Sequence, residues 1–433
     1  MKKGGMGLVI HTVQQDDTLY LLAKKYDTTV QKIISDNGLQ NIDYLVIGQA
    51  IVINVDSVRH TVLPGESLYS IARMYNTTVF RIVSANPEIT NPALIRAGQV
   101  ITIPFADEKL GTMEANGYAQ VDIDNMTLER TLPHLTYLSI FSYQVKPDGS
   151  LTSIQDDPLI QTARRQAVAP MMVITNIKEG GGFGSELAET ILTNEDVQNT
   201  LLDNIVKILQ EKKYFGLDID FEYIFPRNRD NYNSFLKKTV NRLHPLGFIV
   251  TSALAPKTEA GQRGLLYEAH DYATHGILLD HVILMTYEWG YLMGPPRAVA
   301  PVNLVEDVIQ YAVTVMPRKK IFMGIPNYGY DWTLPYVKGT SARPVTNVGA
   351  VNLAAQVGAR IQFDKTAQSP FFNYYDKNGR QHVVWFEDAR SIEAKMKVVG
   401  QYGLGGVSYW TINSFFPQNW VVQDNLFTIR KVL

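Results

Sequence analysis

Tyr214-Phe215-Gly216-Leu217-Asp218-Ile219-Asp220-Phe221-Glu222-Tyr223 alternates apolar and acidic side chains. That period of two belongs to an extended strand, with Asp218, Asp220 and Glu222 on one face and Leu217, Ile219 and Phe221 on the other. Carboxylates on one face of a strand lie about 6–7 Å apart. Burying each of them unpaired costs several kcal/mol, so the stretch reads as a site and not as packing.

Helical patterns flank it, with Leu201, Ile205, Ile208 and Leu209 before and Phe235, Val240 and Leu243 after. Further out, β-rich segments recur at Thr112 to Tyr118, Leu135 to Tyr143, Ala169 to Asn176, Phe215 to Tyr223, Ile249 to Ala255, His281 to Tyr287, Lys320 to Ile325 and Gly406 to Thr411. Eight strands alternating with helices predict an α/β fold, a TIM (β/α)₈ barrel, in which the acidic stretch is the fourth strand. The surplus length lies between strands seven and eight, from Tyr328 to Val399. There Phe371 to Tyr375 and the turn Asp376-Lys377-Asn378-Gly379 predict a hairpin in a small insertion. Barrel enzymes keep catalytic groups at the C-terminal ends of their strands. Glu222 is therefore the expected proton donor; Asp220, one step deeper, raises its pKa by like charge, and Asp218 holds Asp220.

Ahead of the barrel, residues 11–37 and 60–86 align without gaps, with 13 identities in 27 positions. This is an internal repeat. In each copy a strand leads through a turn acid, Asp17 or Glu66, to a helix N-cap, Thr18 or Ser67. Leu19, Leu22, Ala23 and Tyr26, like Leu68, Ile71, Ala72 and Tyr75, then give one buried helical face. A second short helix and a strand after Gly48-Gln49 or Gly98-Gln99 close a βααβ unit. The expected domains are residues 9–54, 58–104 and 110–433, with a linker over Pro104 to Lys109.

The formal net charge is −2 and cysteine is absent. Near-neutrality removes the electrostatic case for nucleic acid or an anionic membrane. The missing thiols exclude disulfides, thiolate metal sites and a cysteine nucleophile. Met1 to Ile10 starts positive, but its apolar run is too short for a secretory signal or a membrane span. His244, His270, His275 and His281 lack metal-ligand spacing, and Gly180 to Gly184 lacks the Lys-Ser/Thr of a phosphate loop. Asp-x-Asp-x-Glu could instead hold a divalent cation, but no further ligands stand out. No metal and no cofactor are expected.

The βααβ repeat resembles the LysM domain, which implies binding of N-acetylglucosamine-containing glycans in a groove involving Asp17, Thr18 and Asn37 in the first copy and Glu66, Ser67 and Asn86 in the second. For the cap and Asn positions, helix capping and turn closure are an equally good reading. Gly216-Leu217-Asp218-Ile219-Asp220-Phe221-Glu222-Tyr223 resembles the strand-four motif of glycoside hydrolase family 18. Met285-Thr286-Tyr287-Glu288 resembles its Met-x-Tyr-Asp, and Gly406-Val407-Ser408-Tyr409-Trp410 its terminal tryptophan strand. Phe215 stands where the motif has an aspartate, Phe221 where it has tryptophan, and Glu288 where it has aspartate; the last leaves substrate detail open.

The resemblance implies a retaining, substrate-assisted glycosidase that needs no enzyme nucleophile. In it Glu222 is acid and base, Asp220 orients the substrate acetamido group, Asp218 supports Asp220, Tyr287 binds the acetamido oxygen, Trp410 floors the sugar site, and Met285 and Glu288 line it. Two LysM units before such a barrel resemble spore-associated cortical-fragment-lytic N-acetylglucosaminidases. That implies a monomer bound to peptidoglycan at the spore coat, cortex or cell wall, without membrane insertion. The alternatives are a chitinase and a glycan-binding protein with an inactive barrel.

Overall fold

The computed structural model describes residues 7–40, 42–55, 57–75, 77–104 and 109–433. Residues 105–108 of the expected linker and 1–6 of the N-terminus lie outside the described residues.

Eight parallel strands form the barrel: β1 (Gly111–Gln120), β2 (Tyr137–Gln144), β3 (Ala169–Thr175), β4 (Gly216–Asp220), β5 (Ile249–Leu254), β6 (His281–Leu284), β7 (Ile321–Pro326) and β8 (Gly406–Trp410). Each pairs with the next, and β8 closes on β1 with Tyr409 opposite Gly117. Apolar residues between strands and outer helices form the larger core. Tyr118, Tyr137, Met171, Val173, Ile283 and Phe322 fill the interior. The outward face of β4 behaves as its alternation demands: Leu217, Ile219 and Phe221 are fully buried, and Phe221 stacks on Tyr232 and Phe235 of the following helix (Arg229–Leu243). Phe215 packs against Tyr137 in the interior cluster, below the acidic residues.

Two strands are shorter than their patterns suggest. β4 ends at Asp220 rather than Tyr223, because the peptide groups beyond it bond to side chains instead of a neighbouring strand. β6 ends at Leu284 rather than Tyr287. There Thr286 N–H turns back to Leu284 C=O, Tyr287 N–H to Met285 C=O, and Glu288 takes a φ of +66°.

The insertion after β7 is a five-stranded antiparallel sheet with one helix, Asn347–Gln356. Its hairpin joins Ser369–Tyr375 to Gln381–Trp385. Asp376 accepts the Asn378 and Arg380 N–H groups across the turn, and Gly379 supplies the φ of +75° that it requires.

Both N-terminal modules are βααβ. In the first, Gly7–Thr12 pairs antiparallel with Ala50–Val55 around helices Leu19–Lys25 and Val30–Asn37; in the second, Ser57–Thr61 pairs with Val100–Pro104 around Leu68–Met74 and Val79–Ala85. Thr18 caps the first helix by accepting Leu21 N–H, and Ser67 forms a capping box with Ser70. Ala50 and Val52 of the first module join the barrel's outer core.

Candidate active site

At the C-terminal end of β4 the three carboxylates occupy graded environments. Asp218 is fully buried. Tyr118 O–H of β1 donates to its Oδ2 at 2.5 Å and Thr251 O–H of β5 to its Oδ1 at 2.6 Å. Burial pushes its carboxyl up to about 6 against the lowering effect of those two bonds. Asp220 is 5 % exposed, and among the described residues its Oδ1 has no hydrogen-bond partner. Burial first, then Glu222 and Asp218, drive its carboxyl well above the usual range.

Glu222 is half-buried and pushed up to about 7, by burial and then by Glu288. Like charge from Asp220 was the expected cause. Repulsion from Glu222 and Asp218 adds to burial in raising Asp220, the deeper group, and Glu288 across the site adds to burial in raising Glu222.

The loop carrying Glu222 is gripped at three successive carbonyls. Buried His270, whose ring burial lowers to about 4, lies with Nε2 3.0 Å from Phe221 O. Asn176, just after β3 and fully buried, donates to Glu222 O at 2.8 Å and accepts Glu222 N–H at 2.9 Å. Ser185 O–H donates to Tyr223 O at 2.5 Å. These contacts replace the sheet ladder and fix the direction in which Glu222 leaves the barrel.

Opposite stands Tyr287. Its hydroxyl is raised well above its usual value by burial, then by Asp220, Glu222, Glu288 and Asp218. Gly324 in β7 makes room for it, since a Cβ there would lie 2.8 Å from Tyr287 Cε1. Glu288 accepts hydrogen bonds from Tyr328 and, at 2.9 Å, from Tyr330. Trp410 is braced edge-on by Tyr118 and Phe141, with ring centroids 5.4 and 4.8 Å away, and Met285 packs with them in the interior cluster. Among the described residues no group of three or more His, Asp or Glu is arranged to hold a metal ion. What remains is a proton-transfer site: one carboxyl near neutrality, a deeper carboxyl with a bare oxygen, and a tyrosine facing both.

Residues 114–414 match Glycosyl hydrolases family 18. The chain belongs to this family. It is a glycoside hydrolase, and residues 11–54 and 60–104 match the LysM domain. The cortical fragment-lytic enzyme of Bacillus subtilis (strain 168) is 44% identical over 429 residues, covering 98% of this chain and 99% of that one. The enzyme of the same name from Bacillus anthracis is 41% identical over 430 residues, with 98% and 99% covered. The crystal structure of the Bacillus megaterium QM B1551 spore cortex-lytic enzyme SleL superposes with a TM-score of 0.90 at 38% identity, over all of both chains. A chitinase from Chromobacterium violaceum, at 24% identity and a TM-score of 0.68 over 74% of this chain and all of that one, shares the fold.

In the first LysM domain of this family 18 chain, a groove of about 510 Å³ is lined by Asp17, Thr18, Tyr20, Ile42, Tyr44 and Ile47, among others. Thr18 is at once cap and wall. Asp17 Oδ2 accepts Gln14 N–H and lies 2.8 Å from His11 Nε2; Glu66 repeats this with Leu63 and His60. Asn37 and Asn86, expected at the grooves, are 4 % and 2 % exposed. Their amides bond the backbone inside each module, Asn37 to Ile33 and Val52, Asn86 to Ile82 and Thr102, so they serve as internal clamps.

Tyr118, Thr251 and Asn176 are the residues that motif reading missed. Tyr118 and Thr251 fall on expected strands at positions opposite the acidic face, and Asn176 ends the expected third strand; those positions were the available signal.

Proposed function

We propose that the chain hydrolyses N-acetylglucosaminyl bonds of spore-cortex peptidoglycan by a retaining, substrate-assisted route, with its LysM domains gripping the same polymer. The observation that carries this reading is the full-length, collinear likeness to cortical fragment-lytic enzymes, both LysM domains included, joined to a carboxyl near 7 at the end of β4.

Glu222, protonated, gives its proton to the glycosidic oxygen as that bond breaks. The substrate's own 2-acetamido carbonyl attacks the anomeric carbon, forming an oxazolinium ion. Asp220, through its free Oδ1, holds the acetamido N–H and balances the developing charge, while Asp218 fixes Asp220 from below. Tyr287 O–H binds the acetamido oxygen, and Trp410 stacks against the sugar, with Met285 and Glu288 lining its pocket. Glu222, now a carboxylate, takes a proton from water as that water opens the ion. No cofactor enters this scheme. Asp17, Thr18, Glu66 and Ser67 border the glycan grooves. The working divisions are 9–54, 58–104 and 110–433, acting as a monomer at the spore coat, cortex or cell wall. No helix of the described residues is long and apolar enough to cross a membrane.

Glu222→Gln tests the reading. The variant should fold and still sediment with cortex peptidoglycan, yet release no reducing ends from cortex fragments; retained release sinks the assignment.

A further inference from the structure

The two LysM domains share a fold and much of their sequence, but among the described residues only the first shows a face built to be covered. Tyr44 O–H donates to Ala355 O at 2.9 Å, Ile361 N–H to Ile47 O at 3.0 Å, and Asn352 to Gln40 at 2.6 Å, all from the insertion. Arg390 donates to Gly48 O at 3.1 Å; Gln418 donates to Asn37 Oδ1 and Ala50 O, each at 2.8 Å. Val46 enters a core with Ala350, Ala354 and Phe372.

The matching positions of the second domain are bare. Val46 is 5 % exposed, and its counterpart is the exposed Arg96; Ala50 is 2 % exposed, and its counterpart Val100 is 49 % exposed. Gly48 and Gly98 have nearly the same φ, +85° and +86°. A Cβ on Gly48 would lie 1.8 Å from Ile361 O, whereas one on Gly98 meets nothing within 4 Å.

The docking position follows from topology. The insertion leaves the C-terminal end of β7. The helix Ala389–Tyr402 starts from that end, and the helix Pro417–Leu426 starts beyond the C-terminal end of β8. Arg390 and Gln418 lie in the first turns of these helices, so the first LysM domain sits beside the rim that carries Glu222. Tyr44 and Ile47 both wall its groove and make the docking bonds.

We infer that the first LysM domain is a fixed distal subsite of the catalytic body, holding one stretch of an N-acetylglucosamine-containing glycan at a set offset from Glu222, so that the enzyme selects its substrates by chain length. This rests on the cortex reading above. A rigid offset removes the linker entropy that a tethered module carries, so the second contact of a long glycan is intramolecular and strengthens binding without touching the chemistry. Short glycans reach only the cleft.

The test uses the full-length chain and soluble spore-cortex glycan fragments of graded length, with kcat and KM measured at each length. Gly48→Ala drives a methyl into the Ile361 backbone of the insertion, and Gly98→Ala imposes the same backbone cost without the collision. Val46→Arg copies the second domain's own residue and buries a charge at the interface, which gives a second undocking variant should Gly48→Ala fold poorly. The wild type and Gly98→Ala should show KM falling by about tenfold or more once fragments span both sites, at constant kcat. Gly48→Ala and Val46→Arg should lose that fall while keeping the wild-type kcat and the wild-type KM for the shortest fragments. A wild type whose KM is flat with length, or undocked variants that keep the fall, would overturn the inference. Wild-type turnover of the shortest fragments carries the substrate reading and the variant comparison carries the docking, so the two fail separately.

Discussion

Glu222 has to be protonated to act as the acid, and burial with the nearby Glu288 sets its carboxyl at about 7. kcat/KM should therefore fall as pH rises through about 7. Glu288→Gln removes the repelling charge, so Glu222 gives up its proton more easily and the falling limb should move to lower pH. Paired pH profiles on cortex fragments decide this, and an unmoved limb would remove Glu288 from the account. Asp220 bears the larger burden. Its folded pKa lies well above the unfolded value of 3.8, so folding favours the neutral form and the stability it contributes is lost as pH rises from about 4. Asp220→Asn should raise Tm at neutral pH, with a smaller gain near pH 4, and should remove nearly all activity; calorimetry at the two pH values checks the sign. The carboxylates were readable because a strand's period of two declares a face. Tyr118 and Thr251 were not, because they serve Asp218 across 100 and 33 residues of chain; Thr251 arrives by pairing of the adjacent β5, and Tyr118 only by barrel closure.

The element that matters most is the short loop after β4. Alternation continues through Phe221 to Tyr223, so the sequence reads as strand to its end, yet the backbone has already left the sheet. The three carbonyls are held by His270, Asn176 and Ser185. Local pattern cannot reveal this, since the side chains that end the strand come from elsewhere. Asn176→Ala would strand a buried N–H and C=O, costing about 1–3 kcal/mol of stability. It should also lower kcat by about a hundredfold with little change in KM, because aim at the glycosidic oxygen is lost before binding is. Asn176→Asp keeps the acceptor for Glu222 N–H and should fall between the two. A wild-type kcat in Asn176→Ala, measured beside its melting curve, would reduce Asn176 to a packing residue.

Across the whole molecule, the eight strands and the duplicated βααβ unit were legible because each repeats a pattern of its own. The asymmetry of the LysM pair was not. It resides in a few substitutions, Val46 against Arg96 and Ala50 against Val100, whose meaning depends on what lies opposite. The same limit applied to Asn37 and Asn86: an Asn at a repeated position signals conserved geometry equally well as an inner clamp or a groove contact, and only burial separates the two. What joins the scales is one claim, that Glu222 cleaves on the reducing side of N-acetylglucosamine with help from the substrate's acetamido group. The most direct measurement is product analysis of soluble cortex fragments at first turnover, reading both the sugar at the new reducing end and its anomeric configuration, for the wild type and Glu222→Gln. The expected result is N-acetylglucosamine with the configuration of the broken bond retained, and no product from the variant. N-acetylmuramic acid at the new end, an inverted anomer, or undiminished product from Glu222→Gln would contradict it.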